Sequence, residues 1–258
     1  KAPEMRKRKW NGKSHWNSIM EKHNGGGVQV ENNQNNKEKQ GKGKHYLIHN
    51  EYRSQSVRYL VVVDMQKDFI DGSLGTEEAQ GIVEKVKEKI LSYPKEMVYA
   101  TLDTHGEDYL STQEGKMLPV PHCIKGTEGW GLHPMLKDLI LPDHFFEKGS
   151  FGSLSLAEFM RTIFTKQVIE EATTAKNTGN IKDTVDINRE DAEIGAYPDF
   201  TIELVGLCTD ICVVSNALLL KAFLPEVPIS VDSSCCGVTK EKHLAALETL
   251  RSCQVEIS

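Results

Sequence analysis

The run VRYLVVVD at 57–64 constrains the chain more than any other stretch. Its residues are almost all β-branched, aliphatic or aromatic, and it stops at an acid, Asp64. Alternation of polar and apolar residues would mark a strand with one wet face. A near-continuous apolar run marks a strand buried on both faces, as in parallel sheets covered by helices. A second run, EMVYATLD at 96–103, ends the same way, in Asp103. Further strands are expected at HFFEKG (144–149), TIELVGL (201–207), VPISVD (227–232) and CQVEI (253–257). Between them, IVEKVKEKIL (82–91), LSLAEFMRTIF (154–164), DICVVSNALLLKAF (210–223) and TKEKHLAALETLR (239–251) read as helices. Strands alternating with helices predict an α/β fold: a Rossmann-like three-layer αβα sandwich on a mainly parallel sheet of about six strands.

The folded part is expected to be a single domain over 57–258. Residues 1–56 are polar, with GGG at 25–27 followed by ENNQNNKEKQGKGK. Such a segment buries too little apolar surface to offset the entropy of ordering, so a flexible tail is expected. The low overall hydrophobic content of 39% fits a chain that is only partly packed. Residues 166–198 form a polar, weakly periodic segment, read as an insertion carrying one helix. Residues 1–50 carry +7, leaving −13 on the rest of a chain whose net charge is −6. A basic tail on an acidic body would suit nucleic acid or anionic lipid. This tail, however, has few aromatics and no nucleic-acid motif, so the expectation is a solubilising tail without a nucleic-acid partner. No apolar run approaches the roughly 20 residues of a membrane span. Six cysteines in a chain this long, two of them adjacent, do not form a disulfide framework and point to a reducing, cytoplasmic setting.

In parallel sheets, functional groups gather at the carboxyl ends of the strands. Asp64, Asp103, Lys148 and the turn bearing Cys208 and Cys212 all fall there. The stretch VGLCTDICVV (205–214) sets its two cysteines four residues apart. Either could be a nucleophile, and the spacing equally suits two sulfurs stacked on one helix face.

Taken together, these segments resemble the isochorismatase-like cysteine hydrolases, and within them the nicotinamidases. The matching pieces are VVVDMQKDF, DTH, PHCIKGTEG, FFEKGSFGSLS and GLCTDIC. The resemblance covers about 58–165 and 200–258, leaving out the tail and the insertion. It implies a catalytic triad of Asp64, Lys148 and Cys212, with Cys212 as the nucleophile that closes G-x-x-T-D-x-C. It also implies an oxyanion hole from the backbone amides of Cys208 and Cys212, and a cis peptide at Leu207–Cys208. The chemistry is coherent: a cysteine attacks as its thiolate, which a lysine ammonium and a helix N-terminus would favour. A carboxylate could orient that lysine and carry the proton to the leaving ammonia.

In nicotinamidases, residues such as Asp103, His105 and His122 bind a metal that holds the pyridine nitrogen. One carboxylate and two imidazoles suit Zn²⁺, Fe²⁺ or Mn²⁺. A fourth ligand usually lies between the histidines; Glu114 is the candidate, with Glu107 and Ser111 open. Phe69 would pack on the substrate ring. Pro119 stands where these enzymes commonly carry a second aromatic. His122 and Cys123 are adjacent in a segment read as extended, which would point them apart and discounts a dyad. Cys235 and Cys236 read as structural. The resemblance therefore implies hydrolysis of nicotinamide to nicotinic acid and ammonia, a step of NAD salvage. The rivals are a carbamoyl or ureido amidase of the same superfamily and a non-catalytic anion-binding protein. Homo-oligomer formation stays open.

Overall fold

The computed structural model describes residues 57–177 and 199–258. The basic tail and the later part of the expected insertion lie outside the described residues. Six parallel strands form one sheet: β1 (Val57–Val63), β2 (Val98–Asp103), β3 (Phe145–Lys148), β4 (Phe200–Leu207), β5 (Ile229–Gly237) and β6 (Glu256–Ile257). Helices flank them: α1 (Lys67–Ile70), α2 (Glu77–Leu91), α3 (Gln113–Met117), α4 (Leu154–Asn177), α5 (Val214–Phe223) and α6 (Lys240–Ser252). None of the described helices is long and apolar enough to cross a membrane.

The strand order is β3-β2-β1-β4-β5-β6, the doubly wound order of Rossmann sheets. The chain leaves β1 toward one edge and returns at β4 to build the other. The crevice above the carboxyl ends of β1 and β4 is therefore the topological switch point, where ligands bind in such sheets. Register carries the side chains there. Asp103 pairs with Lys148, and Val63, the residue before Asp64, pairs with both Thr101 and Gly206.

Both faces of the sheet are covered, which is why β1 carries no alternation. On one face Leu60, Val62, Ala100, Val205 and Leu207 pack against Ala79, Ile82, Val83, Val86 and Ile90 of α2. That spacing is a helical stripe, and burying each larger side chain contributes about 1.5–3 kcal/mol. On the other face Tyr99 meets Phe159 and Phe200 meets Phe164 of α4, with ring centroids 5.1 and 5.4 Å apart, and Tyr59 packs on Phe200 at 4.8 Å.

Three boundaries differ from the sequence reading. α2 begins at Glu77, five residues earlier than expected, because the Thr76 hydroxyl accepts the Ala79 N–H and caps it. α4 does not stop at 164 but runs to Asn177, so the first twelve residues of the expected insertion continue this helix. Val168 is buried and keeps the core-facing stripe going; the polar residues are its solvent face. β5 continues past Asp232 to Gly237. Its register against β4 shifts between Leu204 and Gly206, so the Ser-Ser pair that looked like a strand end lies in a bulge, and Cys235 and Cys236 are strand residues.

Candidate active site

Asp64 ends β1 at φ 48°, a left-handed conformation uncommon outside glycine and asparagine. Its side chain is fully buried. Oδ1 accepts the Thr101 hydroxyl at 2.6 Å, and Oδ2 lies 2.7 Å from Lys148 Nζ. That contact is a buried ion pair. Lys148, at the end of β3, is nearly as buried. Its Nζ also lies 3.2 Å from Asp103 Oδ1 and 3.6 Å from Cys212 Sγ. One ammonium thus touches two carboxylates and one sulfur.

Cys212 sits in the wide π turn Thr209–Val213 that joins β4 to α5. The Leu207–Cys208 peptide entering this turn is cis. Asn216, one turn on, donates to the Cys212 carbonyl at 2.8 Å and accepts the Ser153 N–H at 3.0 Å. That ties the cysteine turn to the segment after β3.

The electrostatics correct one expectation. The thiol was expected to be depressed toward its thiolate. Instead burial first, and then the Asp64 charge, push it well above the ordinary thiol range, and the Lys148 ammonium does not outweigh them. Asp64 is also raised by burial, against the pull of Lys148. For Lys148, burial works downward, but Asp64, Cys212 and Asp103 prevail and hold it protonated. The resting site sets the Lys148 ammonium between the raised Asp64 carboxyl and the raised Cys212 thiol.

Asp103, His105, Glu114 and His122 come together beside this triad. One donor atom from each lies within 4.8 Å of all the others. His105 Nε2 is 2.9 Å and His122 Nε2 3.6 Å from Asp103 Oδ2. Glu114 Oε1 stands 3.9 Å from His105 Nε2 and 3.8 Å from His122 Nε2. Glu107 is not in the group. His122 Nδ1 is held by the Val120 carbonyl at 2.9 Å, which leaves Nε2 facing the other donors, the habit of metal-binding imidazoles. Two imidazole nitrogens and two carboxylate oxygens in such a cluster fit a divalent metal.

Both groups open on one cavity of about 780 Å³, lined among others by Phe69, His122, Cys208 and Cys212. Phe69 packs against the His122 ring, centroids 5.4 Å apart. Cys123 is not extended, as expected, but left-handed at φ 46°; its sulfur is fully buried and its thiol is pushed up by burial.

Three positioning residues escaped the sequence reading. The Gln66 side chain accepts the Asp103 N–H at 2.7 Å and donates to the Asp103 carbonyl at 2.8 Å, clamping the end of β2. Thr101 fixes Asp64, and Asn216 fixes the cysteine turn. Gln66 stood in the quoted VVVDMQKDF, and Asn216 is four residues after Cys212. Position alone gave neither a role.

A family model for the isochorismatase domain matches residues 58–171. That stretch holds Asp64, the four clustered donors and Lys148, and ends before Cys212. Nicotinamidase/pyrazinamidase of Mycobacterium tuberculosis is 25% identical over 213 residues, 78% of this chain and 98% of that protein. Over that stretch the chain is similar to the isochorismatase-like hydrolases, and its fold is theirs. The structure of pyrazinamidase of Pyrococcus horikoshii in complex with zinc shares the fold, with TM-score 0.53 and 21% identity over 78% of this chain and 98% of that one. N-carbamoylsarcosine amidase of Thermoplasma acidophilum does so at TM-score 0.50 and 20% identity, over 78% and 95%.

Proposed function

We propose that this chain is a metal-dependent amidase that hydrolyses nicotinamide to nicotinic acid and ammonia, a cytoplasmic reaction of NAD salvage. The observation that carries the reading is the position of Lys148, in contact with Asp64, Asp103 and Cys212 at once, beside a four-donor group opening on the same cavity.

The Cys212 sulfur attacks the amide carbonyl as its proton passes to Asp64, which Lys148 holds at the same site. Lys148 stays protonated and balances the negative charge that moves between carboxylate and sulfur. The backbone amides of Cys208 and Cys212 serve as the oxyanion hole. Asp64 returns the proton to the leaving nitrogen, ammonia departs, and water cleaves the thioester at Cys212 to give the acid. A divalent ion held by Asp103, His105, Glu114 and His122, with Zn²⁺ the best fit, would supply a Lewis acid that orients the ring through its nitrogen. Phe69, beside His122, offers a flat apolar face to that ring.

The likeness to N-carbamoylsarcosine amidase supports a second reading, an amidase for a carbamoyl or ureido compound. It keeps the triad and gives the four-donor group no ring nitrogen to hold. Ammonia release from nicotinamide, with metal analysis of the same sample, separates the two. Turnover of nicotinamide that disappears on chelation and returns with Zn²⁺ supports the first. Turnover of a ureido compound alone supports the second.

A further inference from the structure

The cavity above the triad has two unlike halves. Its floor holds Cys212 and the four clustered donors. Its mouth is lined by Leu74, Met117, Leu118, Phe151 and Ile211. Met117 is 83% exposed, Phe151 48%, and Ile211 and Leu118 each 38%. Single exposed apolar side chains are ordinary; several around one cleft mark a binding surface. Leu74 lies between α1 and α2, and the others come from the end of α3, the loop after β3 and the turn after β4. Of those segments, α3 carries Glu114 and the turn after β4 carries Cys212, both residues of the floor, while the loop after β3 follows Lys148.

Size points the same way. The cavity of about 780 Å³ far exceeds a one-ring carboxamide, which fills on the order of 150 Å³ at close packing. A ring seated on the floor leaves the mouth unfilled.

We propose that the mouth is a subsite for an apolar substituent, and that the preferred substrates are aromatic carboxamides extended by such a group. The inference rests on the amidase reading for the floor. With the ring nitrogen toward the four donors and the carboxamide toward Cys212, the ring carbon meta to both points away from them, toward the mouth. A propyl group there would lie among Met117, Phe151 and Ile211 and shed the water that now covers them.

The test is a calorimetric titration of the full-length Cys212→Ala protein, loaded with Zn²⁺, with nicotinamide and with the analogue carrying propyl at that meta carbon. The analogue should bind about tenfold more tightly, the size of effect expected from burying a short alkyl chain. Met117→Ser and Phe151→Ser, each added to Cys212→Ala, should move that ratio toward one. Comparing two ligands on the same protein separates a lost subsite from a misfolded variant. Equal or weaker binding of the analogue, or a ratio that neither variant moves, overturns the subsite. Ammonia release by the unsubstituted protein judges the floor separately. If neither amide is hydrolysed but the analogue still binds more tightly, the amidase reading falls and the apolar mouth stands. If neither amide binds, both fall.

Discussion

Asp103 and Lys148 face each other across the β2–β3 register, 3.2 Å apart from Oδ1 to Nζ, while the other carboxylate oxygen turns to His105 and His122. A single carboxylate therefore borders both the triad and the four-donor group. Asp64 borders only the triad. Asp103→Asn should weaken metal binding on the order of 100-fold and lower turnover with it. Asp64→Asn should remove turnover and leave the bound metal in place. Metal per protein after dialysis, measured beside ammonia release, checks the contrast. Equal metal loss in the two variants would place Asp64 among the ligands.

Gly206 tests the switch point itself. It sits at φ 120° in β4, and a Cβ there would lie 2.1 Å from the Val63 carbonyl oxygen, in the central strand beside Asp64. Neither backbone can yield without breaking the β1–β4 ladder. Gly206→Ala should cost more than about 3 kcal/mol, within the range reserved for buried backbone clashes. Gly126, at φ 87° with open space around its Cβ position, is the control. Gly126→Ala should cost only about 1 kcal/mol, the strain of the left-handed backbone alone. Urea unfolding midpoints of the two variants decide the matter.

Away from the site, Lys89 of α2 reaches Asp232 of β5 at 2.6 Å and Glu203 of β4 at 3.3 Å, pinning the helix to the sheet. Burial pushes the Asp232 carboxyl up, but the hydrogen bonds from Lys89 and Ser234 and the Lys89 charge outweigh it, and the net shift is downward. A depressed carboxyl contributes stability that is present above the ordinary aspartate range and lost as pH falls through its lowered native value. Asp232→Asn should therefore cost about 2 kcal/mol at neutral pH. The gap to the unsubstituted protein should close at pH values below about 3.9, the ordinary aspartate value. Unfolding midpoints across that range check the sign. A gap that persists in acid would make the loss steric rather than electrostatic.

Much of the architecture was legible because buried parallel strands announce themselves. VRYLVVVD and EMVYATLD carry no alternation, and their terminal acids fall at the edge where the crevice lies. Lys148 could be placed there for the same reason. The role of Thr101 could not, because its partner Asp64 becomes a neighbour only through the side-by-side placement of β1 and β2, and sheet order is not written in either strand. Gln66 was hidden differently: its partners are backbone atoms of Asp103, and any residue type at 103 would offer them. The continuation of β5 past Asp232 was hidden because a bulge, not an unbroken apolar run, carries the strand on to Gly237. The direction of the Cys212 shift was beyond reach, since it depends on how much water the fold excludes.

That shift gives the last prediction. Iodoacetamide reacts with the thiolate. Cys212 is buried, and burial and then Asp64 keep the proton on its sulfur; Lys148, 3.6 Å away, opposes them without prevailing. Alkylation of the unsubstituted protein should therefore accelerate only as pH rises beyond the ordinary thiol value of about 8.5. Asp64→Asn removes one cause of the upward shift and the proton acceptor together. It should speed alkylation at a fixed neutral pH. The same change should slow ammonia release by about 10²–10⁴-fold, the usual contribution of a positioned base. Lys148→Met removes the ammonium that favours the thiolate at this sulfur, so alkylation should slow and turnover should be lost. Cys212→Ala should abolish both. Cys208→Ala should keep turnover within about tenfold, because alanine retains the backbone amide assigned to the oxyanion hole. Mass spectrometry of the alkylated peptide, read beside the ammonia assay, supplies every comparison. Slower alkylation in Asp64→Asn would mean that Asp64 assists loss of the thiol proton in the resting protein, and the carboxyl–ammonium–thiol resting state would have to be abandoned.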